Sequence, residues 1–248
     1  MKAAFFNKPL EWNIETTSES WQQGSEILGK VSVKNHGTDS IDLSSAGVGL
    51  AYADIKKVHA RTPGALKQES GALLTKQTLG AGESTEMDFA LAFPENCSIS
   101  DKKSSYFLVY GRDLSENHLQ LKVEPRSLYT KIVGLLDTFE RFKVKEVKGH
   151  KNGVEYKLLP PTSREMANLD SLSLVLSMDG EMLKLAFDFA VRKLETSGVT
   201  NKINKASIKV KRELSPRQYS LGKDMINQDE LLKTFKEVLS EVKMNNVF

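Results

Sequence analysis

In stretch after stretch of this chain, apolar residues fall on every second position. Ile27, Val31 and Val33 share one parity, against Leu28, Lys30, Ser32 and Lys34 on the other. Met87, Phe89, Leu91 and Phe93 alternate with Asp88, Ala90 and Ala92 until Pro94. Tyr106, Leu108 and Tyr110, then Leu119, Leu121 and Val123, repeat the pattern, and Val48, Leu50 and Tyr52 alternate with small residues. Successive side chains of a strand point to opposite faces, so this spacing predicts half-buried strands. Short strands separated by turn signals such as Asn35-His36-Gly37 predict a β-sandwich. The stretch 59–82, rich in Gly, Thr, Ser and Lys, predicts long loops.

A length of 248 residues leaves room for two such domains, and 40% hydrophobic residues supply their cores. Val123-Glu124-Pro125-Arg126 sets the boundary, because proline cannot continue a central ladder. The expected organisation is a sandwich over 1–124, a second β-sandwich over 125–223 and an amphipathic helix over 224–248.

The strongest local signal in the second half is Asp179-Gly180, a two-residue hairpin turn. With both residues central, Met178 would pair with Glu181, Leu176 with Leu183, Leu174 with Leu185 and Leu172 with Phe187. The apolar parity of both strands then lies on one face, and Ser171, Ser173, Ser177, Lys184 and Asp188 on the other. Phe142, Val144 and Val147 suggest a further strand, as do Val154, Tyr156 and Leu158, and later the run 207–211. The tail changes period: Leu231, Phe235, Val238 and Val242, flanked by Leu232 and Leu239, form a helical stripe over 228–244. Asn227 and Glu230 stand at capping-box spacing ahead of it.

Composition limits function. Thirty-five basic residues against 32 acidic ones leave a net charge of +3, which gives no electrostatic case for nucleic acid. Cys97 is the sole cysteine, so neither an internal disulfide nor a cysteine zinc site can form. The apolar start Ala3-Ala4-Phe5-Phe6 is too short for a secretory signal, and no run approaches a membrane span. The cytoplasm is the expected compartment.

Catalytic motifs fail on their own chemistry. Gly80-Ala81-Gly82-Glu83-Ser84-Thr85 lacks the lysine of a phosphate loop, and Glu83 would repel a phosphate. Gly47-Val48-Gly49 runs into Tyr52 where a dinucleotide fingerprint needs a small residue. His36, His59, His118 and His150 have no metal-ligand spacing, and Cys97 has no base beside it in sequence. No cofactor, metal or catalytic residue is expected, although distant carboxylates can converge in a fold.

Binding candidates remain. Lys202, Lys205, Lys209, Lys211 and Arg212 are the densest charge, with Lys209 and Lys211 on one face of a strand. Such a face grips an acidic partner or a membrane surface, or is a solvated face that guards a sheet edge. The stripe Leu231, Phe235, Val238 and Val242 either packs on its own domain or docks on a partner or a second copy. Trp12 and Trp21 either stack on a sugar or fill the core.

Taken in order, these segments resemble arrestin-type domains. Gln23-Gly24-Ser25-Glu26-Ile27-Leu28-Gly29-Lys30-Val31-Ser32-Val33 looks like that family's second strand, with glutamine where a proline is usual. Leu79-Gly80-Ala81-Gly82-Glu83 running into Phe89 to Pro94, and Tyr106 to Tyr110 with Leu119 to Val123, look like later strands. The order Phe142 to Val147, Tyr156 to Ser163 and Leu169 to Leu176 narrows the resemblance to the bacterial sporulation-control protein family. Arg164-Glu165 departs from that family's glycine, and the final helix lies beyond the pattern. The resemblance implies two arrestin-like sandwiches and a regulatory or scaffolding role with protein partners, without catalytic residues.

Overall fold

A computed structural model describes residues 1–114, 116–151, 153–197, 200–222 and 225–245, with the side chains of 193–203 and 244–245 outside the description. The chain divides into two compact units, Met1–Glu124 and Pro125–Phe248.

Unit 1 contains β1 (Lys2–Asn7), β2 (Leu10–Thr16), β3 (Ser20–Gln22), β4 (Glu26–Asn35), β5 (Ile41–Asp42), β6 (Gly47–Asp54), the short helix α1 (Ile55–His59), β7 (Lys67–Leu73), β8 (Thr78–Leu79), β9 (Ser84–Ala92), β10 (Ser104–Gly111) and β11 (Asn117–Glu124). Two sheets, ordered β1-β2-β4-β9 and β3-β11-β10-β6-β7, face each other, and β5 pairs with β8. The alternation in sequence is the alternation in space. Ile27, Val31 and Val33 of β4, with Phe89 and Leu91 of β9, are buried against Val48, Leu50, Tyr106 and Leu108 of the other sheet. Burying such side chains contributes roughly 1.5–3 kcal/mol each.

The mid-strand Gly29 has a packing reason. A Cβ there would stand 2.5 Å from the Phe89 ring and 2.6 Å from the Glu15 carbonyl oxygen. The larger sheet is also covered on its outer face, where Ala51, Ala53, Phe107 and Val109 pack with Val58 of α1. Asp54 caps that helix by accepting from the N–H of Lys56 and Lys57. Within 59–82, expected as loops, the strand β7 adds to the sheet edge beside β6. Its side chains are almost all exposed, so it carries no apolar alternation to announce it.

Unit 2 contains α2 (Ser127–Glu140), β12 (Lys143–His150), β13 (Gly153–Leu159), β14 (Leu169–Asp179), β15 (Met182–Ser197), β16 (Thr200–Leu214), the one-turn helix α3 (Pro216–Tyr219), β17 (Ser220–Gly222), β18 (Met225–Ile226) and α4 (Gln228–Asn245). Strands β12 to β16 form one antiparallel sheet in sequential order. The β14–β15 hairpin pairs Asp179 with Met182, Met178 with Leu183, Leu176 with Leu185 and Leu174 with Phe187. This register is shifted by two residues from the expected one. Only Gly180 has positive φ, +56°, so Gly180-Glu181 make the turn and Asp179 stays in its strand. A shift of two conserves parity, so Leu172, Leu174, Leu176, Leu183, Leu185 and Phe187 still share the buried face.

That face is covered by helices. Tyr129, Ile132, Val133, Leu135 and Leu136 of α2 are buried, as are Leu231, Phe235, Val238 and Val242 of α4. Phe235 meets Phe187 of β15 edge-on at 6.2 Å. Arg212 of β16 donates to Glu241 of α4 at 2.5 Å. The extended sheet expected for the second half is present, and α2 and α4 bring the apolar stripes that cover one of its faces. The helix α2 is an element the strand alternation did not announce.

Candidate functional site

Sheet edges present unpaired backbone groups, and folded proteins usually guard them with charge, bulges or brevity. Four of the long edges here are guarded. β7 and β9 carry Lys67, Glu69, Glu86 and Asp88. β12 alternates lysines with a register shift between Val144 and Glu146. The exposed edge strand β16 carries Lys205, Lys209 and Lys211.

The edge strand β1 differs. Its sequence is Lys-Ala-Ala-Phe-Phe-Asn, and all but Ala3 and Asn7 are exposed. Phe5 and Phe6 remain 38% and 52% exposed, large values for apolar residues in a strand. Met1 exchanges both backbone hydrogen bonds with Thr16, at 3.0 and 2.8 Å. Bonded and non-bonded pairs alternate along an antiparallel ladder. Ala3 and Phe5 therefore bond inward to Ile14 and Trp12 of β2, while Lys2, Ala4 and Phe6 turn their N–H and C=O to the open edge. Beside Phe6 lie His36, with ring centroids 5.7 Å apart, and Glu11, 2.6 Å from the His36 Nε2. The His36 contact is the chief cause that holds the Glu11 carboxyl below its usual range.

Phe5 also borders a cleft of about 690 Å³ at the end of the β10–β11 hairpin, within the usual size range of ligand sites. The loop after α1 supplies Arg61, Pro63 and Leu66, and the hairpin supplies Tyr110, Asn117 and His118. Arg61 has φ of +51°, and its N–H donates to the Val58 carbonyl at 2.9 Å. His118 lies edge-on to Phe107 at 5.6 Å. Partial desolvation, then the nearby His59 and Arg61, hold its imidazole below the ordinary value.

Two buried asparagines make an informative contrast. Asn35, wholly buried, donates to the carbonyls of Asp39, Leu79 and Gly80 and accepts from the Gly37 N–H. Asn117 is 4% exposed, yet neither its Oδ1 nor its Nδ2 has a partner among the described residues. A buried amide left unpaired costs about 1–3 kcal/mol. Asn117 pairs across the ladder with Tyr110, whose ring lies 6.4 Å from that of Trp12. The Trp12 Nε1 is a further buried donor without a partner among the described residues. Glu116 is by contrast engaged, accepting from Asn7 Nδ2 and from the Arg112 N–H.

The residues singled out from sequence are placed as follows. On β16, Lys205 reaches Asp170 at 3.4 Å, Lys209 reaches Asp188 at 3.8 Å and Arg212 reaches Glu241 at 2.5 Å. Lys209 and Lys211 are exposed and Val210 is buried between them. Lys202 pairs with Glu195 in the strand register, and its side chain lies outside the described residues. The cluster is thus partly neutralised by unit 2's own carboxylates. Leu231, Phe235, Val238 and Val242 are at most 6% exposed. Named from sequence as a candidate partner surface, this stripe is buried within unit 2, where α4 covers the apolar face of the sheet together with α2. Trp12 and Trp21 are 0% and 5% exposed and form no stacking platform. Cys97 is buried, and burial comes first among the causes that push the Tyr106 hydroxyl up, ahead of the neighbouring Cys97 and Glu69. No helix is long and apolar enough to cross a membrane, and no group of three metal-ligating side chains occurs, among the described residues.

The sequence matches no protein-family model and no curated protein. Solved structures do match. The sporulation control protein Spo0M of Bacillus subtilis aligns with 95% of this chain and 99% of its own, at 14% identity and a TM-score of 0.59. Part of the chain also aligns with a β-glucosidase of Listeria innocua, over 46% of this chain and 16% of that one, at 15% identity and a TM-score of 0.29. A conserved hypothetical protein of Bacillus anthracis aligns over 49% of this chain and 94% of its own, at 10% identity and a TM-score of 0.27. The chain has the mostly β, arrestin-like fold of the sporulation control protein, which the order of its strands in sequence had led us to expect.

Proposed function

We propose that the protein is a non-catalytic regulatory adaptor that binds another protein by taking a strand of it onto the open edge of β1. The observation that carries the reading is that edge: Lys2, Ala4 and Phe6 offer backbone groups outward, and two exposed phenylalanines stand where other edges carry charge. Strand addition draws affinity from main-chain hydrogen bonds and specificity from alternate side chains. Phe6 lies on one face of such a joint and Phe5 on the other. The likeness to a regulatory protein over nearly the whole chain supports a regulatory role. The sole, buried Cys97 supports action in a reducing cytoplasm.

The test is affinity capture from native lysate with the wild-type chain and with Ala4→Pro. Proline at position 4 deletes an outward N–H and leaves the inward bonds of Ala3 and Phe5 in place. Partners enriched by the wild type and lost with Ala4→Pro support strand addition. Partners retained equally by both remove it.

A further inference from the structure

The outer face of the sheet β1-β2-β4-β9 carries its charges in a row that crosses all four strands. Lys2 of β1 stands opposite Glu15 of β2, Glu15 opposite Lys30 of β4, and Lys30 opposite Asp88 of β9. The sign alternates at every step. Opposite charges that face each other across a ladder are favourable, and like charges are not. Lys30, inside the row, has a carboxylate on each side; Glu86 first, then Asp88 and Glu15, hold its ammonium above the ordinary value. Lys2 ends the row. It reaches Glu15 at 2.9 Å on one side, its other side is the open edge, and its side chain is 77% exposed.

The remaining residues of β1 complete a pattern. Ala4 stands opposite Asn13 and Phe6 opposite Glu11 on the outer face, while Ala3 and Phe5 stand opposite Ile14 and Trp12 on the other. A strand laid along this edge therefore meets, in order, a cation, two small residues and two exposed rings. A carboxylate opposite Lys2 continues the alternation of charge. Apolar residues opposite Phe5 and Phe6 form the aromatic and β-branched pairs that stabilise sheets. Every neighbouring pair in this sheet is antiparallel, and antiparallel pairing is slightly the more stable per residue. A second copy of the chain does not fit, because β1 has no carboxylate. Two-fold pairing centred on Ala4 would set Lys2 opposite Phe6, and centring on Ala3 or Phe5 would set it opposite Ala4 or Lys8.

We propose that the strand taken up by β1 runs antiparallel to it and carries two adjacent apolar residues followed, three positions after the second, by an acidic one. The apolar pair lies against Phe6 and Phe5 and the carboxylate against Lys2. This rests on the strand-addition reading and names the partner sequence that reading requires.

The probe is a fluorescein-labelled, amidated nonapeptide of threonines with valine third and fourth and glutamate, glutamine or lysine seventh. A further peptide has the glutamate sequence reversed. Binding to the full chain is followed by fluorescence anisotropy at low ionic strength, where exposed charges are least screened. The glutamate peptide is expected to bind about fivefold more tightly than the lysine peptide, with glutamine between them and the reversed sequence weaker. Lys2→Glu is expected to invert the order and Lys2→Gln to level it. Equal binding of the three peptides, an order that ignores position 2, or no binding of any, overturns the proposal. Preference for the reversed sequence overturns the antiparallel register. A chain that sediments as a dimer, and as a monomer with Ala4→Pro, overturns it in favour of a second copy. Ala4→Pro also separates the two claims. Peptide binding or lysate capture that is lost with this variant but shows no charge preference leaves the strand standing without the acidic residue. Glutamate preference that survives it removes the strand and leaves a surface ion pair. Unchanged far-ultraviolet ellipticity in each variant excludes misfolding as the cause.

Discussion

Replacing Phe235 by alanine tests whether α4 belongs to the interior of its own unit. The ring is 1% exposed and meets Phe187 edge-on, 6.2 Å between centroids. Truncation of a buried phenylalanine costs about 3–5 kcal/mol. Of this, about 0.5–1.5 kcal/mol belongs to the aromatic pair and the remainder to lost burial and the cavity left behind. With a urea dependence of about 2 kcal/mol per molar, the midpoint of unit 2 should fall by about 2 M. Far-ultraviolet ellipticity follows both units, whereas tryptophan fluorescence comes from Trp12 and Trp21 and so reports unit 1 alone. The expected result is an early ellipticity transition for Phe235→Ala. Lys236→Ala, one residue on and exposed, should change stability by no more than about 0.5 kcal/mol. A loss below about 1 kcal/mol for Phe235→Ala would refute the packing of α4 and return its stripe to the list of partner surfaces.

Three further outcomes follow from particular residues. Gly180→Ala should destabilise unit 2 by about 1–2 kcal/mol, because Gly180 sits at φ +56° in the hairpin turn, and Gly180→Asn should cost less; urea titration distinguishes them. Asn117→Leu should stabilise unit 1 by about 1 kcal/mol, because both ends of its buried amide lack a partner among the described residues; a loss of stability in urea would show the amide to be structural. His118 should titrate below 6.5, because its folded imidazole is depressed by desolvation and by the charges of His59 and Arg61. The folded protein then binds fewer protons than the unfolded chain as pH falls below about 6.5, so this residue's contribution is present at neutral pH and is lost on acidification; a histidine midpoint at or above 6.5 by NMR would contradict it.

How far the sequence reached depends on how local each signal is. β4, β9, β14 and β15 lie with one face in the core and one in water, so their period of two was legible. β1 was not, because an edge strand with both faces partly exposed has no reason to alternate. The stripe Tyr129, Ile132, Val133 and Leu136 of α2 sits at helical spacing in the sequence, yet it directly follows Pro125, where strand signals on both sides dominated the reading. The hairpin at Asp179-Gly180 was placed correctly in face and two residues off in register, since turn chemistry identifies the glycine but not its position within the turn. The lysines of β16 were legible as a charged face; their partners Asp170, Asp188 and Glu241 come from other elements and were not. The cleft joins residues near positions 5, 61 and 117, and no spacing rule connects three segments so far apart.

Amide hydrogen exchange along β1 tests the open edge most directly. In the free protein Ala3 and Phe5 should be protected by their bonds to β2, while Ala4 and Phe6 exchange as rapidly as loop amides; with a captured partner bound, protection should pass to Ala4 and Phe6. Slow exchange at Ala4 and Phe6 in the free protein, or no change on binding, would mean that the edge is already closed or that partners dock elsewhere.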